Sequence, residues 1–99
     1  MKVLLADSDL LFSRLVKSRL EKAGYTVATV PTGPEAWELF EHSRFRLVIT
    51  EFDLPGLDGT ELCRRIRNLS RRRHTYVMFY AARNSSDNIV EAYQAGADD

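Results

Sequence analysis

Glu51-Phe52-Asp53-Leu54-Pro55-Gly56-Leu57-Asp58-Gly59 separates a short apolar run from an amphipathic one. Before it, Arg46 to Glu51 carries Leu47, Val48 and Ile49 in succession, the pattern of a strand covered on both faces. After it, Thr60 to about Leu69 places Leu62, Cys63, Ile66 and Leu69 on one helical stripe. Pro55, Gly56 and Gly59 break the chain between them, and Asp58 with Glu61 suits a helix start. This is a strand–loop–helix unit, and the rest of the chain repeats it.

Upstream, Lys2 to Ala6 predicts a strand that ends in Asp7-Ser8-Asp9. Leu10 to Ala23 predicts a helix with Phe12, Leu15, Val16, Leu20 and Ala23 inward, Asp9 as its cap and Gly24 as its stop. Tyr25 to Val30 predicts the second strand. After the break Pro31-Thr32-Gly33-Pro34, a helix runs to about His42, capped by Thr32 and Glu35, with Ala36, Trp37 and Phe40 inward. Downstream, Tyr76 to Ala81 predicts a fourth strand; Asn84-Ser85-Ser86 is a turn, and Asp87 to Ala95 a helix closed by Gly96. Strands alternating with helices imply an α/β domain with right-handed crossovers and a parallel sheet. The spacing leaves the strand order open.

The 99 residues suit a single domain, 1–99, with a thin core. Fourteen basic and fourteen acidic side chains cancel, so bulk charge gives no reason to expect direct nucleic-acid or membrane binding. No run approaches the roughly 18 apolar residues of a membrane span, and Asp7 and Asp9 interrupt the apolar start, so no secretory signal is read. Cys63 is the single cysteine and reads as a small core residue in a reducing, cytoplasmic setting. His42 and His74 lack partners at ligand spacing. Arg64, Arg65, Arg67, Arg71, Arg72 and Arg73 form a local basic cluster, read as solvated surface.

In an open parallel sheet, ligands bind beyond the carboxyl ends of the strands. Asp7, Ser8 and Asp9 follow the first strand there, and Glu51 and Asp53 the third. Carboxylates gathered in one place repel unless a cation joins them, and magnesium is the natural candidate.

These residues carry a resemblance to the receiver domains of bacterial response regulators. It rests on Asp7-Ser8-Asp9, on the Glu51 to Gly59 segment, on Ala81-Ala82-Arg83 and on Ala95-Gly96-Ala97-Asp98-Asp99, in that order and across the whole chain. The resemblance implies a flavodoxin-like sheet in the order 2-1-3-4-5. This chain then stops where a fifth strand and helix are due, leaving the order 2-1-3-4 and a bare apolar edge on strand four that invites self-association. It implies an aspartate after strand three that takes a phosphoryl group from a histidine kinase, magnesium held by two acids and a carbonyl, a Ser or Thr ending strand four, and an attached output domain.

Several positions depart from that pattern. Glu51 falls at the phospho-acceptor position and reaches roughly 1.3–1.5 Å further than an aspartate, from bond lengths alone. Phosphoryl transfer is sensitive to placement errors of about 1 Å. Ser8 stands where a second acid is usual, and Ala81 lacks the hydroxyl of the switch position. The acidic pocket is then Asp7, Ser8, Asp9 and Asp53, and any metal would fall weakly to Asp7, Glu51 and Asp53; no cofactor is required. The expectation is a pseudo-receiver that is not an enzyme and acts through protein partners: a histidine kinase, or the output domain of a longer chain. Two other readings stand beside it. One is a working phospho-receiver using Asp53 or Glu51. The other is a haloacid-dehalogenase-like phosphatase fragment using Asp7 and Asp9.

Overall fold

The computed structural model describes residues 1–69, 74–80 and 86–99. Arg71 to Arg73, Ala81 to Arg83 and the Asn84-Ser85 turn lie outside the described residues. The elements alternate as β1 (Lys2–Ala6), α1 (Leu10–Lys22), β2 (Thr26–Val30), α2 (Gly33–His42), β3 (Leu47–Glu51), α3 (Gly59–Leu69), β4 (Tyr76–Tyr80) and α4 (Ser86–Gln94). The strands form one parallel sheet in the order β2-β1-β3-β4. The flavodoxin-like α/β reading therefore holds, and the order that spacing left open is the one the resemblance implied.

Local chemistry sets the boundaries. Asp9 accepts the Phe12 N–H at 3.1 Å and caps α1, and Thr32 accepts the Glu35 N–H at 3.3 Å and caps α2. Gly24 and Gly96 leave α1 and α4 at positive φ, a conformation that costs a glycine little. At α3, Glu61 turns along the helix to Arg64 and Arg65, at 3.6 Å from each.

The sheet buries its two faces unequally. On one face Leu4, Ala6, Val48 and Val77 pack with Leu62, Cys63 and Ile66 of α3, with Ala36 and Phe40 of α2, and with Ala92 and Ala95. On the other, Val3, Leu5 and Val27 meet Val16 and Leu20 of α1 among the described residues, with Leu47, Ile49 and Tyr80 partly buried beside them. The inward stripe expected for α1 is corrected here. Ser13 is its buried residue, Val16 and Leu20 are half-buried, and Leu15 is 60% exposed. The helix lies toward β2, which rotates Phe12 and Leu15 to its flank, where Phe12 meets the Tyr80 ring at 4.8 Å. Leu69, expected inward on α3, is also exposed because it sits at the helix end. Trp37 is half-buried and stacks near Phe40 at 6.3 Å.

The bare edge expected on β4 is likewise corrected over Val77 to Phe79. The Asp98 and Asp99 N–H groups donate to the Val77 carbonyl at 3.0 and 3.2 Å, and the Phe79 N–H donates to the Asp99 carbonyl at 3.2 Å. The Val77 N–H donates to Asp98 Oδ2 at 2.9 Å. These bonds occupy that stretch of the β4 edge with Asp98 and Asp99.

Candidate functional site

The parallel register builds the site. Ala6 pairs with Thr50, so the next residues, Asp7 and Glu51, leave neighbouring strands side by side at the carboxyl rim. Asp7 is 2% exposed. Its Oδ1 accepts the Asp9 N–H at 2.7 Å. Burial, joined by the Glu51 carboxylate beside it, pushes the Asp7 carboxyl up to about 6 against the pull of that N–H.

Glu51 is held by Ser8. The Ser8 N–H and hydroxyl both donate to Glu51 Oε1, at 3.1 and 2.8 Å. The sequence reading treated Ser8 only as a lost charge; its role as a double donor was not foreseen. The signal available was a small hydroxyl residue beside a longer acid, whose added methylene lets it cross to the β1 loop. Behind Glu51, the loop is pressed close. A side chain at Gly59 would stand 2.2 Å from the Glu51 carbonyl oxygen, and the Gly59 N–H donates to the Phe52 carbonyl at 2.9 Å. Thr50, fully buried, donates its hydroxyl to the Glu51 carbonyl at 2.9 Å. The backbone around Glu51 is therefore held from both sides.

The other expected site residues divide. Asp9 is drawn off to cap α1, so it lies near Asp7 but faces the helix. Asp53 is exposed on the loop, and its side chain has no hydrogen bond or ion pair among the described residues. Ala81 lies outside the described residues. The structure thus brings together Asp7, Ser8 and Glu51, and leaves Asp53 apart.

As a cation site this arrangement is thin. Among the described residues no group of three or more His, Cys, Asp or Glu side chains is placed to hold a metal ion. One oxygen of Asp7 is committed to Asp9, and one oxygen of Glu51 to Ser8. Magnesium takes near-octahedral oxygen ligation with several waters and one or two carboxylates, and Asp7 and Glu51 would each offer it their remaining oxygen.

The model of the response regulator receiver domain matches residues 3–99. The chain belongs to that family. It is similar to the chemotaxis protein CheY of Pseudomonas aeruginosa, at 32% identity over 97 residues, 97% of this chain and 78% of CheY. It is also similar to the transcriptional regulatory protein CseB of Streptomyces coelicolor, at 36% identity over 97 residues, but spans only 40% of that protein. The chain spans less than half the length of the transcriptional regulators it matches. Among solved structures, chemotaxis protein CheY4 of Vibrio cholerae is 28% identical with a TM-score of 0.89, over 97% of this chain and 80% of CheY4. Receiver domains are signalling modules of two-component systems, and this assignment displaces the phosphatase reading. Asp9, the acid/base of that reading, is the helix cap. No helix among the described residues is long and apolar enough to cross a membrane.

The basic cluster also resolves. Arg67 is no part of a solvated patch: it donates to the Gly96 and Thr75 carbonyls and to Asp98. His74 joins Asp98 at 2.9 Å. Burial opposes ionisation of Asp98, but the Val77 N–H, His74 and Arg67 outweigh it and hold the carboxyl below its usual value.

Proposed function

We propose that this receiver is an atypical one. It acts by docking to protein partners, with its phosphoryl chemistry altered at Glu51. The observation that carries the reading is the pair of hydrogen bonds from Ser8 to Glu51 Oε1. An acceptor carboxylate must offer an oxygen in line with an incoming phosphorus, with a cation to offset charge. Here the acid at the proposed acceptor position is one methylene longer, and a neutral serine donates to it from the side where a second acid would help hold metal. The buried Asp7 next to it keeps its proton to a higher pH than a free aspartate, with its carboxyl raised to about 6.

Glu51 also carries one charge against about two for a phosphoryl group, so it imitates the phosphorylated state only in part. The function left to the domain is recognition. The partners are a histidine kinase or phosphotransfer protein, or the output domain of a longer chain, and their binding does not depend on magnesium.

The test is direct. The protein is incubated with acetyl phosphate and magnesium and weighed intact. No stable adduct is expected, whereas an adduct mapped to Glu51 would overturn the reading. The double variant Ser8→Asp with Glu51→Asp restores the usual acids and is expected to gain an adduct. A second reading, a working receiver that uses Asp53, draws on the exposure of that carboxylate and on the regulators among its relatives. An adduct on the parent protein that is lost in Asp53→Asn would establish it.

A further inference from the structure

Away from the rim, α1 and the edge strand β2 flank an open groove of about 240 Å³, lined by Leu10, Ser13, Arg14, Lys17 and Thr29. The spacing explains the lining. Residues 10, 13, 14 and 17 form one stripe of the helix. Thr29 shares the α1 side of β2 with Val27, two residues before it. None of these residues belongs to the Asp7, Ser8 and Glu51 group.

Three observations give the groove a chemical character. Arg14 and Lys17 both line it, and neither makes an ion pair among the described residues. No carboxylate lines it, and the first turn of α1 contains no acid. Ser13, 4% exposed, buries a hydroxyl that has no hydrogen-bond partner among the described residues. A buried hydroxyl is normally satisfied, and an orphaned one calls for an explanation. Two unpaired cations, two hydroxyl residues and no acid are the recognition chemistry of an oxyanion: a guanidinium offers a planar fork, an ammonium a point charge, and a hydroxyl a short donor.

We propose that this groove binds the phosphoryl group of a small phosphate monoester. Arg14 and Lys17 carry the charge recognition and the Ser13 hydroxyl donates to a phosphoryl oxygen. The volume is many times the space that one water needs, which leaves room for a short organic group against Leu10. The site is independent of the proposed acceptor chemistry, because it shares no residue with it.

The protein is titrated with inorganic phosphate, with phenyl phosphate and with sodium chloride at matched ionic strength, following backbone amide resonances by NMR. Saturable shifts at Ser13, Lys17 and Thr29 are expected, with phenyl phosphate binding more tightly than phosphate and a dissociation constant on the order of a millimolar or below. Arg14→Ala with Lys17→Ala is expected to weaken binding about tenfold or more, and Ser13→Ala about tenfold, with thermal midpoints no lower than the parent's. Equal affinity for the two phosphates would make the ligand free phosphate and overturn the monoester assignment. Shifts that chloride reproduces, or no saturation, would mean a hydrated groove only and overturn the site. Unchanged binding in Ser13→Ala would overturn the role of the hydroxyl.

Discussion

The two faces of the sheet use neighbouring residues of the same strands; both are fully buried in β1, but they reach different degrees of burial in β3. In β3, Val48 and Thr50 are fully buried under α2 and α3, whereas Leu47 and Ile49 remain partly open beside α1. On the covered face, apolar packing is joined by a polar clip: Arg67 of α3 binds Asp98, which also accepts the Val77 N–H at the β4 edge. On the α1 face, Leu11 and Leu15 are 71% and 60% exposed. The difference teaches that alternation along a strand assigns residues to faces, while the elements overhead decide what burial is worth.

The largest effect is expected on the covered face. Leu62→Ala should cost about 3 kcal/mol and Ile49→Ala about 1 kcal/mol, because a cavity opens only where the surroundings are closed. Urea unfolding measures both, and equal losses would erase the distinction. The clip comes next. Asp98→Ala should destabilise by about 2 kcal/mol, since it removes the ion-pair partner of Arg67 and the acceptor of the Val77 N–H together.

At the rim, where both faces end, the effect is smaller and depends on pH. Asp7 has its folded-state pKa raised to about 6 from 3.8. Its protonation therefore contributes stability that is fully present below about 3.8 and is lost as pH rises through about 6. Asp7→Asn should keep the acceptor for the Asp9 N–H and remove that loss. It should gain about 1–2 kcal/mol at pH 7.5 and show a flatter profile between pH 4 and 7. Unfolding of both proteins across that range tests it, and a parent that grows more stable from pH 4 to 7 relative to the variant would contradict the sign. The smallest effect belongs to the open flank of α1. Leu15→Gln should change stability by no more than about 0.5 kcal/mol, and a larger loss would mean that this flank is covered in solution.

Much of this was legible in the residues. All eight elements read from spacing are present, with ends shifted by no more than about one residue among the described positions, because capping residues and glycines mark the ends locally. Asp7 and Glu51 were expected to share a rim, and the β1–β3 register delivers them there. Less legible were contacts that depend on how elements settle against each other. The packing of α1 against β2 put Ser13 inward instead of Leu15, and the return of Asp98 to β4 turned Arg67 from a surface charge into a clamp.

The amino-acid order by itself determined which stretches become strands and helices, since periodicity and end signals act over a few residues. It also set which acids reach the strand ends, and the family motif they form. Only the tertiary structure decided that Ser8 would donate twice to Glu51 while Asp53 stood aside. Those outcomes depend on distances between separate segments, which parallel pairing and helix packing settle and local sequence does not encode.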